Sequence, residues 1–166
     1  MNRPGLSFEV LMAYTRGETR RWYEWFKSHP PEALEVPIGE GRTATVRGLL
    51  VHVFAVELRY AERLLGERPT PYDSISATSI EEIFAIGGRA AERLQRYLDR
   101  AGEDDLHDVL TFETVTMGTL TASKQRIVSH YFVHGIRHWA QIATALRQAG
   151  FGDQWPHDVL FSDGAD

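Results

Sequence analysis

The chain has 166 residues, 43% hydrophobic and 25% charged, enough for one folded domain with a substantial core. Its net charge of −5 and the lack of any basic block exclude a nucleic-acid surface, which needs clustered cations to displace phosphate counterions. With no cysteine, disulfides, thiolate metal ligands and a cysteine nucleophile are excluded as well.

The first stretch, MNRPGLSFEVLMAYTRGETRR, lacks the uninterrupted apolar core of a secretory signal, and no apolar run approaches the roughly 18 residues that span a bilayer. The expected location is cytoplasmic, with no membrane partner. The first long helix is predicted over about Ser7–Lys27, where Phe8, Leu11, Thr15, Trp22, Trp25 and Phe26 recur near helical spacing. Trp22, Tyr23, Trp25 and Phe26 occupy more than one narrow stripe. Their surplus is expected to meet a second copy in a homodimer, or to lie under the first loop or the C-terminal tail. Pro30, Pro31 and Pro37 break this helix.

The second helix is predicted over about Thr45–Leu65, with Leu49, Val53, Val56, Tyr60 and Leu64 as its apolar stripe and Gly66 as its stop. The third begins near Ser79, where SIEE reads as a capping box with Ser79 as cap and Glu82 reaching back. Ile80, Phe84, Ala91, Leu94 and Leu98 line its face, and Gly102 closes it. Val109, Thr111, Phe112, Thr114, Val115 and Thr116 favour a short strand or hairpin. The fourth helix runs from about Thr121 to Ala149, before Gly150. The tail after it is expected to pack at its start and fray at its end. The predicted fold class is all-α: a single four-helix bundle over residues 1–166, with a short β element between the third and fourth helices.

The fourth helix carries SHYFVHGIRHWAQIA, with His130, His134 and His138 at four-residue intervals. With Ile127 set at zero and about 100° per residue, His134 and His138 fall within about 20° of the centre of the inward face. His130 lies about 60° off, on the flank. Two inward imidazoles one turn apart are costly unless satisfied, and their rings can converge on one metal ion. A third ligand must come from another helix. His52, at the edge of the stripe on the second helix, is the candidate. For each of these residues the alternative is a hydrogen-bonded core histidine. His29, His107 and His157 fall in loops or tail and read as surface residues. No glutamate follows the first histidine of the pair, so the pattern is not the zincin H-E-x-x-H.

LLVHVFAVELRYAERLLG followed by IVSHYFVHGIRHWAQIATALRQAG resembles the DinB/YfiT-like family of metal-binding four-helix bundles. That family places a histidine in the second helix, then H-x-x-x-H, a glutamine three residues on, and a helical run ending in glycine. Here these are His52, His134, His138, Gln141 and Gly150. Trp139 and Ala140 stand where the family usually has Arg-Gly, a departure that concerns local packing rather than the ligands. The resemblance spans nearly the whole chain and implies a metal site of His52, His134 and His138. His130, Tyr131 and Gln141 are then candidate site-lining residues. Arg137 reads as solvated.

An all-nitrogen set suits zinc first, with nickel or iron as alternatives. Three neutral imidazoles leave an open position for water, a thiolate or a substrate oxygen. Relatives in this family include S-transferases that use bacillithiol or mycothiol, and a mycothiol-dependent maleylpyruvate isomerase. The resemblance therefore implies a small-molecule substrate and a low-molecular-weight thiol cosubstrate. The alternatives are a non-catalytic stress-response module with a structural metal, and a metal-dependent hydrolase. No general acid or base is identified from the residues alone.

Overall fold

The computed structural model describes residues 6–114 and 117–161. The described residues are helical apart from one small sheet, as expected. Its elements are α1 (Phe8–Ser28), α2 (Val46–Leu64), α3 (Ile80–Leu98), the short α4 (Glu103–His107), the strands β1 (Val109–Thr114) and β2 (Gly118–Ser123), and α5 (Lys124–Gln148). No helix among the described residues is long and apolar enough to cross a membrane.

Local chemistry sets the helix ends. The Ser7 side chain accepts from the Val10 N–H and caps α1. The capping box at α3 is present: Ser79 accepts from the Glu82 N–H, and the Glu82 carboxylate accepts from the Ser79 N–H. Two of the three predicted glycine stops, Gly66 and Gly150, are Schellman ends. Gly66 and Gly150 take φ of 73° and 92°, where a side chain would be strained. Glu67 N–H then reaches Glu62 O at 2.8 Å, and Phe151 N–H reaches Leu146 O at 2.9 Å.

Two boundaries and one buried face differ from the sequence reading. Gly102 does not close α3, which ends at Leu98; it precedes α4, a turn that periodicity over five residues cannot announce. The last helix starts at Lys124, not Thr121, because Thr121–Ser123 pair with β1. The hairpin is antiparallel in the register Val109↔Ser123 and Phe112↔Leu120, and the Thr111 and Thr121 hydroxyls bond across it at 2.9 Å. Those ladder bonds outweigh the helix preference of a short segment. The third difference is the buried face of α3, which centres on Ile83, Ile86, Ala90, Leu94 and Tyr97, one residue round from Ile80, Ala91 and Leu98. Val115, Thr116 and the end of the tail lie outside the described residues.

By internal contacts the chain divides into two compact units, residues 1–50 with 134–166, and residues 51–133. The division falls within α2 and within α5. Residues 51–133 bury Val53, Phe54, Leu58, Ile83, Leu94, Tyr97, Ile127 and Phe132. The other unit is aromatic. Trp22 is fully buried, stacked on Trp139 at 5.6 Å and on His157 at 5.1 Å, with Trp155 edge-on at 4.9 Å.

The tail thus packs on Trp22 and Trp25 of α1. Trp155 Nε1–H donates to Glu18 Oε1 at 2.7 Å, and His157 Nδ1–H donates to Glu18 Oε2 at 2.8 Å. Asp153 accepts from Trp25 Nε1–H at 3.3 Å and from His29 Nε2–H at 3.0 Å. His29 and His157 are therefore packing residues of this unit, not the surface residues that their place in loop and tail suggested. Only tertiary folding brings Glu18 and Asp153 to them. His107 is exposed, as expected.

Candidate metal centre

His52 stands on α2, and His134 and His138 stand one turn apart on α5. Each offers one ring nitrogen, and the three atoms lie within 4.8 Å of one another. The rings of His134 and His138 are 4.4 Å apart at 73°. Ligands about 2.1 Å from one tetrahedral ion stand roughly 3.4 Å apart, so these atoms need to close by no more than about 1.4 Å. The donor set also fits: three imidazoles and no thiol, the chemistry of zinc, nickel or iron. Three histidines this close could hold a divalent ion.

The second ring nitrogens show how two of the rings are held. His138 is buried, and its Nδ1–H donates to Gln141 Oε1 at 2.6 Å. A carbonyl oxygen only accepts, so the proton sits on Nδ1 and the Nε2 lone pair is left for a metal. His52 is half-buried, and its Nδ1 lies 2.9 Å from the Tyr72 hydroxyl, which again leaves Nε2. The His134 Nδ1 atom is shielded from solvent.

The other sequence candidates divide. Gln141 touches the site through His138. Tyr131 is buried, and its hydroxyl bonds to Glu57. His130 is exposed and stands edge-on to the Tyr60 ring at 5.4 Å, outside the cluster of three. Arg137 is exposed, as expected.

Sequence reasoning missed two residues here. Tyr72 sits in a loop twenty positions from His52, and nothing in ERPTPYDSISATS marks it out. Glu57 is 3% exposed on α2, although it is not part of the stripe that periodicity predicted. Burial pushes its carboxyl up to about 8, against the lowering hydrogen bond from Tyr131. Its Oε1 has no hydrogen-bond partner among the described residues. The weak signal was its place inside an otherwise apolar run, VHVFAVEL.

Comparison with curated proteins gives no match. The family model described as the DinB family matches residues 1–163. With that match over essentially its whole length, and with His52, His134 and His138 drawn together on two helices, the chain belongs to the DinB family.

Proposed function

We propose that this DinB-family protein binds a divalent metal through His52, His134 and His138 and uses it as a thiol-dependent S-transferase. The observation that carries the metal reading is the convergence of three imidazole nitrogens within 4.8 Å in a chain with no cysteine. The thiol part draws on the resemblance to relatives that use bacillithiol or mycothiol.

A bound divalent ion would supply positive charge that favours the anionic form of a thiol or of water. The chain's own residues do the rest. The three imidazoles are neutral donors, so they leave that charge uncancelled. Gln141 keeps the His138 proton on Nδ1, away from the metal position. With no cysteine in the chain, any thiol comes from a cosubstrate. Zinc is the first expectation for the ion, with nickel and iron behind it.

The test is a cobalt-substituted protein, prepared without a nickel column and offered bacillithiol, mycothiol and glutathione in turn. A sulfur-to-metal charge-transfer band is expected with one of them, and is expected to vanish in His52→Ala. If azide perturbs the cobalt spectrum and no thiol does, the transferase reading fails and hydrolysis moves ahead. If nothing exchanges, the ion is structural.

A further inference from the structure

We infer that Tyr72 is a positioning residue of this site. Its hydroxyl orients the His52 ring so that Nε2, not Nδ1, meets the metal, and its loop is built on α2 to deliver it. The inference rests on the metal reading above and concerns how the ligand from α2 is held.

The loop after α2 is tied back to the helix it has just left. Glu62 is buried, and its two carboxylate oxygens accept from the Thr70 N–H at 2.7 Å and the Thr70 hydroxyl at 2.6 Å. The Arg59 guanidinium donates to the Thr70 carbonyl and stands 6.0 Å over the Tyr72 ring. A short 3-10 turn, Tyr72–Ser74, follows, closed by the Ser74 hydroxyl on Pro71 O at 2.7 Å. Thr70 is therefore pinned by three bonds to α2, and Tyr72 leaves that pin along the helix toward His52.

Distance selects the residue type. His52 and Glu62 are ten residues apart, about 15 Å of helix rise. Two extended residues from Thr70 cover about 7 Å of this. A long, rigid side chain ending in a hydroxyl spans most of the remainder, which serine or threonine would not. A single helix thus carries the ligand and, further along, both anchors of the loop that supports it.

The support differs in kind from that of His138. Gln141 is three residues from His138 on the same helix, so its pairing follows from helical spacing. Its carbonyl dictates one tautomer. The Tyr72 hydroxyl both donates and accepts, so it bonds His52 Nδ1 in either tautomer. It holds the ring plane while the metal, by taking Nε2, decides where the proton sits. Outer partners of this kind typically alter metal affinity 10–100-fold.

Tyr72→Phe keeps the ring and removes only the hydroxyl. Zinc and cobalt affinities are measured by chelator competition on the full chain, with Tyr60→Phe as the control. The expected result is a 10–100-fold loss for Tyr72→Phe and none for the control. Nitrogen-15 spectra of the zinc-loaded wild type are expected to show His52 bound through Nε2 with the proton on Nδ1. Unchanged affinity in Tyr72→Phe, or ligation of His52 through Nδ1, overturns the inference while leaving the metal reading intact. A folded wild type that takes up neither metal removes the metal reading itself.

Discussion

Four histidines of this protein fall into two pairs with different partners. Around α1 and the tail, His29 and His157 face carboxylates, Asp153 and Glu18. At the candidate metal centre, His52 and His138 turn their Nδ1 atoms to a phenol and an amide. In the first pair the carboxylates tie the tail to α1; in the second a phenol and an amide orient the rings, and the ring nitrogens of His52, His134 and His138 lie within 4.8 Å of one another. Histidines that tie chain segments together are thus told from histidines suited to ligation by whether their ring nitrogens converge, not by burial.

The largest expected effect breaks the ligating group. His134→Ala or His138→Ala is expected to abolish stoichiometric metal binding, measured by metal analysis after chelator washing, while His130→Ala retains most of it. Equal loss in His130→Ala would dissolve the distinction between cluster and flank.

The corresponding break in the other group is Glu18→Ala. It strands the Trp155 N–H and the His157 Nδ1–H against the aromatic unit, and each donor left without its acceptor costs about 1–3 kcal/mol. Urea unfolding is expected to show that loss with metal binding unchanged. A cost under about 1 kcal/mol would mean the tail is not held through Glu18.

Metal removal comes next. An ion that binds only the native state, at 100 times its dissociation constant, adds about 2.7 kcal/mol. A chelator is expected to lower the melting temperature at neutral pH. The effect should shrink as pH falls through about 6.5, because protons compete for the imidazoles. A melting temperature indifferent to the chelator at pH 7.5 would count against an occupied site.

Glu57 sharpens the comparison, as a buried acid with one neutral partner instead of several donors. Its carboxyl is raised from 4.5 to about 8 by burial, so the native state keeps a proton that the unfolded chain releases. The resulting stabilisation is full below about pH 4.5 and is lost as pH rises toward 8, at up to about 1.4 kcal/mol per pH unit. Glu57→Gln cannot titrate and is expected to flatten that slope in unfolding curves taken between pH 5 and 8. Identical slopes in the two proteins would refute it.

The smallest effect is expected at Asp153, whose side chain is 69% exposed. Asp153→Ala should cost under about 1 kcal/mol, the usual worth of an exposed pair. A loss matching Glu18→Ala would erase the difference between the two carboxylates.

Much of this was legible in the residues. The capping box at Ser79, the glycines ending α2 and α5, and the four long helices are local signals whose physics acts within one or two turns. His134 and His138 were placed inward by helical rotation alone. His52 needed a resemblance to known sequences, because an isolated histidine beside an apolar stripe reads equally as core.

The sequence by itself determined that the protein is all-α, has no thiolate to offer a metal and places two histidines on one helical face, since composition and spacing are properties of the chain. Tertiary structure decided what those groups meet. Tyr72 reaches His52 across twenty residues, and Glu18 meets Trp155 and His157 across more than a hundred. Such pairings depend on how loops close and which side chains share a core. No periodicity records that, because the contact is made by packing and not by position along the chain.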